Sequence, residues 1–132
     1  MAEACDIYGT AFKNGSVTLL ARIVGQGGTN ILPGDMHAIR YTAYLLDDQD
    51  ADSRTAVTGH ANVSLTVADA IFSTLQTDPI WTVDAVGYNF RHVLDVSLHP
   101  AFAIAGRRFL IEYQLTPATG QVILVRFRIN VI

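Results

Sequence analysis

The chain has 132 residues, half of them hydrophobic and only 16% charged, where about 25% is usual for a soluble domain. That balance excludes disorder and predicts one compact domain over residues 1–132 with a core of its own. A formal net charge of −3 removes nucleic-acid binding by bulk charge, and one cysteine removes both an internal disulfide framework and any multi-cysteine zinc site. The mean hydropathy of +0.28 leaves an apolar excess that has to lie in a core or against a partner.

Residues 5–12 are the first strand candidate. Val17, Leu19, Ala21 and Ile23 then alternate with Thr18, Leu20, Arg22 and Val24 as a second. Residues 36–47 read as a long strand, with Ile39, Tyr41, Ala43 and Leu45 on one face and Arg40, Thr42 and Tyr44 on the other. A shorter strand is expected over 62–67. Val67, Ile71 and Leu75 recur every four residues, with Asp69 near the start and Asp78-Pro79 as a stop, which predicts one short helix of about two turns.

Residues 90–98 return to strand character. Phe109, Ile111, Tyr113 and Leu115 alternate with Leu110, Glu112, Gln114 and Thr116. After the turn residues 117–120 the alternation resumes as Ile123, Val125, Phe127, Ile129 and Val131, which predicts a β-hairpin, the clearest element in the chain. Turn chemistry recurs at 14–15, 25–34, 47–53, 84–87 and 99–100. Short strands so punctuated predict an all-β fold, an Ig-like antiparallel β-sandwich of about seven to eight strands with one short helix.

The chemistry-bearing residues form no recognisable catalytic frame. His37, His60, His92 and His99 lack the spacing of a helical metal site and read as ordinary surface or strand-end residues. Cys5 has no base beside it and reads as a small hydrophobe. Asp48, Asp50 and Asp52 fall at the first, third and fifth places of a calcium loop. However, Ser53 stands where the loop needs glycine and Gly59 where it needs glutamate. An EF-hand is excluded, and the three aspartates stay only as loose candidates in what reads as a solvated turn. No metal, cofactor or enzymatic activity is expected. Trp81, in a segment with few charges, reads as core or interface.

Leu20, Val24, Leu110, Val122 and Leu124 fall on strand faces opposite the expected core, and Arg126 and Arg128 are placed to rim such a patch. Leu110, Val122, Leu124, Arg126 and Arg128 are therefore the predicted interface, with a solvated outer sheet face as the other reading of the arginines. The acidic total, and the lack of aromatic interleaving along the Arg126–Arg128 strand face, argue against nucleic acid as the partner.

The run Arg40-Tyr41-Thr42-Ala43-Tyr44-Leu45-Leu46-Asp47-Asp48 is followed by Leu75-Gln76-Thr77-Asp78 with Trp81, then by Gly87-Tyr88-Asn89-Phe90-Arg91-His92 and Gly106-Arg107-Arg108-Phe109. In this order the chain resembles small Ig-like β-sandwich proteins of phage-like and prophage-like gene clusters, including the N-terminal sandwich of baseplate upper proteins. The resemblance covers about two-thirds of the chain and is one of pattern. It implies a non-enzymatic virion subunit, a capsid decoration or cement protein or a tail or baseplate accessory, whose partners are copies of itself and other virion proteins. The alternative is a carbohydrate- or ligand-binding module using Trp81, Tyr88 and Tyr44 as stacking platforms, assisted by calcium at the acidic turn. The opening residues include Glu3 and Asp6 and no basic or apolar leader, and no stretch approaches the ~18 apolar residues of a membrane span. A virion or cytoplasmic location without membrane partners is the expectation.

Overall fold

The computed structural model describes residues 5–25, 28–47, 49–50 and 53–132. Among these the fold is an all-β sandwich. The strands are β1 (Cys5–Ala11), β2 (Thr18–Ala21), β3 (Met36–Leu46), β4 (Arg54–Ala56), β5 (Val63–Leu65), β6 (Ile71–Gln76), β7 (Tyr88–Val93), β8 (Arg108–Pro117) and β9 (Ile123–Val131). The larger sheet runs β1-β9-β8-β3-β4, with β5 also pairing β3, and the smaller runs β2-β7-β6.

The predicted hairpin is β8–β9. Phe109, Ile111, Tyr113 and Leu115 lie opposite Ile129, Phe127, Val125 and Ile123, and all eight are buried. Ile39, Tyr41 and Ala43 of β3 extend this inner face. The smaller sheet closes over it through Leu19, Ala21, Ile71 and Phe90. Phe90 meets Tyr113 edge-on, with ring centroids 4.9 Å apart, and Phe127 meets Tyr113 the same way at 5.6 Å. These edge-to-face rings fill the middle of the sandwich.

Two sequence expectations are corrected. The helix is a single turn, α1 (Val67–Ala70), and the chain from Ile71 onward is strand β6. Residues four apart share one side both of a helix and of a strand, so the Val67, Ile71, Leu75 spacing fits either. Ile71, Phe72 and Thr74 are β-branched or aromatic, which favours the strand. The larger sheet is mixed rather than antiparallel, because β1 runs parallel to β9 along its whole length. A parallel pair needs a crossover, and here nearly the entire chain supplies it. Among the described residues nine strands are present, close to the seven to eight expected, and β4 is a three-residue exposed strand without alternation.

Candidate functional site

The outer face of the larger sheet holds the predicted interface residues. Arg126 and Arg128 are half-buried on β9, and Leu124 beside them is also half-buried. Val122 is exposed just before the strand. Leu110 departs from expectation, being only 2% exposed. Its cross-strand neighbours are Arg128 and Tyr44, residue types whose long side chains can cover a shorter leucine. The outer face is thus not a contiguous apolar patch.

Arginines dominate it. Arg126 faces Glu112 at 3.3 Å, and the guanidinium of Arg54 lies over the Tyr44 ring at 4.3 Å from its centre. Arg40 and Arg108 are exposed on β3 and β8. Tyr8, on β1 opposite Arg128, is 75% exposed. Aromatic residues therefore do stand among these arginines. Sequence reading missed them because Tyr8 and Tyr44 come from other strands than Arg126 and Arg128.

Exposed apolar residues also line a groove of about 190 Å³ between β1 and β2. Each of these strands is the edge of its own sheet. Phe127 and Ile129 are among its buried lining residues. Tyr8, Leu20, Ile80, Trp81 and Val83 line the rest, and Ile80 and Val83 are 53% and 73% exposed.

One carboxylate builds the loop that carries Ile80, Trp81 and Val83. Asp84 accepts from Trp81 Nε1 at 2.9 Å, from the Arg22 guanidinium at 2.8 Å, and from the backbone N–H groups of Val86 and Gly87. These donors, the indole first and the guanidinium next, hold its carboxyl well below the usual carboxylate range. Trp81 packs on Tyr88, whose hydroxyl donates to Asp78 at 2.7 Å. Gly87 closes the loop at φ +111, where a Cβ would stand 2.5 Å from the Gln76 carbonyl oxygen. Only glycine fits there.

Trp81, Tyr88 and Tyr44 do not form one platform. Tyr88 is buried, Trp81 is half-buried, and Tyr44 lies on the other sheet beneath Arg54. A second recess, of about 330 Å³, opens between the 25–36 segment and the β8–β9 turn, where Thr29, Asn30, Thr119 and Gln121 contribute polar groups and no described lining residue is aromatic.

The histidines are also corrected in part. His37 and His99 are exposed, but His60 is 2% exposed and His92 half-buried. His60 Nδ1 lies 2.8 Å from the Tyr41 hydroxyl and its Nε2 lies 2.7 Å from the His99 carbonyl oxygen. His92 Nδ1 lies 2.5 Å from the Tyr113 hydroxyl, and the Tyr41 ring is 5.0 Å from the His92 ring. Burial, with a smaller contribution from His60, pushes the His92 imidazole down to about 4. No sequence spacing announces this cluster, because its members come from β3, β7, β8 and a loop.

At the acidic turn, Asp47 accepts the N–H groups of Gln49 and Asp50, which lowers its carboxyl. Asp50 is exposed, and Asp48 and Asp52 lie outside the described residues. Among the described residues no group of three or more His, Cys, Asp or Glu side chains could hold a metal ion, and no helix is long and apolar enough to cross a membrane. No family model, curated protein or solved structure matches the chain.

Proposed function

We propose that this chain is a non-enzymatic structural subunit of a phage-like virion, a capsid decoration or cement protein or a tail or baseplate accessory. It works by association with copies of itself and with other virion proteins. The observation that carries this reading is the groove between β1 and β2, where exposed Ile80 and Val83 crowd two sheet edges. Apolar surface beside an edge strand that has one neighbour is a docking place for another chain. A second copy is the occupant, since β1 offers seven residues of edge backbone for its pairing.

The polar work spent on the 78–87 loop fits this role. Asp84 and Asp78 fix the loop so that its apolar side chains stay presented to the groove without a ligand. Preorganisation of that kind raises affinity by lowering the ordering cost on contact.

Val83→Asp tests the proposal by light scattering with circular dichroism. A wild-type multimer and a folded variant of lower mass support it. A wild-type monomer at micromolar concentration, or a variant of unchanged mass, removes it. Binding of the wild-type chain to sugars in place of self-association would favour the carbohydrate alternative.

A further inference from the structure

We infer that β1 pairs antiparallel with β1 of a second copy, about a two-fold axis at Tyr8, so that the larger sheets of two chains join into one. The inference rests on the self-association reading and names the strand through which the copies meet.

The hydrogen bonds at the end of β1 fix which way its backbone points. The Ala11 carbonyl accepts from Ile132 N–H, and Lys13 N–H donates to the Ile132 carbonyl, both at 2.9 Å. Strand residues turn their backbone groups alternately to one side and the other, so Ile7, Gly9 and Ala11 face β9. Asp6, Tyr8 and Thr10 turn theirs to the open edge, and among the described residues no strand pairs them there. The Phe12 carbonyl keeps the alternation. It accepts from Gly15 N–H at 2.8 Å instead of bonding β9, which closes the open run at that end.

The other sheet edges are blunted and this one is not. β2 has four residues, and β4 and β5 have three each, with Arg54 on β4. β6 shifts register against β7 between Ile71 and Gln76. Short strands, charges and irregular register are the ways natural sheets stop edge-to-edge pairing. β1 keeps one register over all seven residues, carries no proline or lysine, and has Asp6 as its single charge.

Symmetry and charge both admit a copy. Turning β1 about Tyr8 lays the open run on itself, so Asp6, Tyr8 and Thr10 face Thr10, Tyr8 and Asp6 of the second copy. In an antiparallel ladder such pairs exchange both N–H···O bonds. No like charges stand directly opposite, where they would destabilise the pair. Arg128 lies beside Tyr8 on β9, so the Arg128 residues of the two copies stand three strand spacings apart. That is about 14 Å, longer than the screening length of about 8 Å at physiological ionic strength. Ile80 and Val83 stand beside the same edge, so a copy seated on β1 lies next to the exposed apolar surface of the groove.

Residue-resolved amide hydrogen exchange of the full chain, from dilute to concentrated solution, tests the pairing. The Ile7, Gly9 and Ala11 amides should be protected throughout, because they point to β9. The Tyr8 and Thr10 amides should slow by about tenfold or more as the multimer forms. Thr10 does not line the groove, so its variants separate edge pairing from groove docking. Thr10→Pro removes an outward N–H and keeps the bonds to β9, as an edge strand allows. It is expected to lose mass by light scattering with unchanged circular dichroism, while Thr10→Ala assembles like the wild type. Should Thr10→Pro fold poorly, the exchange measurement on the wild type decides. Tyr8 and Thr10 amides that exchange freely in the multimer overturn the inference. A Thr10→Pro variant of wild-type mass overturns it too, and leaves the groove reading standing if Val83→Asp still dissociates. A wild-type monomer overturns both.

Discussion

Tyr41 and His60 meet in the core through a 2.8 Å hydrogen bond, although they come from strand β3 and a separate loop. The other ring nitrogen of His60 faces the His99 carbonyl oxygen, which can only accept, so Nε2 carries a proton. Both ring nitrogens thus have a partner. Gly59 makes room for this arrangement, since a Cβ there would stand 2.3 Å from the His99 ring. Tyr41→Phe removes one partner and leaves a buried ring nitrogen without one. Denaturant unfolding should show a loss of about 1–3 kcal/mol.

His92 makes stability depend on pH. Its folded value of about 4 lies below the unfolded value near 6.5, so the unfolded chain binds the proton more readily. The contribution of the neutral ring is complete above pH 6.5 and is lost progressively as pH falls toward 4. With its partial exposure allowed for, the loss is on the order of 2 kcal/mol. His92→Gln should flatten that part of the stability profile. An equally steep acid slope in the variant would assign it to other groups.

Trp81 is the single tryptophan, so its emission reports on the groove loop alone. Asp84→Ala removes the acceptor of the indole N–H and the partner of Arg22 together. The emission should move to longer wavelength as the ring gains water, with far-UV circular dichroism unchanged. In the wild type the same change should require acid well below the ordinary carboxylate range, because the donors around Asp84 hold its proton off.

The period-two segments were legible because alternation follows directly from burying one sheet face. The β8–β9 hairpin appears where Phe109 to Leu115 and Ile123 to Val131 predicted it. The short helix was not legible at its true length, since the spacing of Val67, Ile71 and Leu75 is common to both periods. The site was less legible still. Leu110 alternates like an outward residue and is outward, yet its neighbours cover it. The groove brings together Tyr8, Leu20 and Val83, which no local pattern links. Its loop depends on a carboxylate whose donors lie at Arg22, Trp81 and Gly87, and a single sequence does not display such long-range pairing.

Leu110 separates burial from interface directly. At 2% exposure it already has its contacts within one chain, so truncation should act on the fold and not on association. Leu110→Ala should cost roughly 2–5 kcal/mol, with the low end expected because arginine and tyrosine side chains can settle into the vacated space. Leu124, half-buried on the same face opposite Gln114, should lose less on the same substitution. Both are measured by urea unfolding at a protein concentration low enough to dissociate any multimer. Equal, small losses would mean that Leu110 is exposed in solution and would return it to the docking surface. A large loss at Leu110 alone would establish that the arginine face is built over an apolar centre belonging to the chain itself.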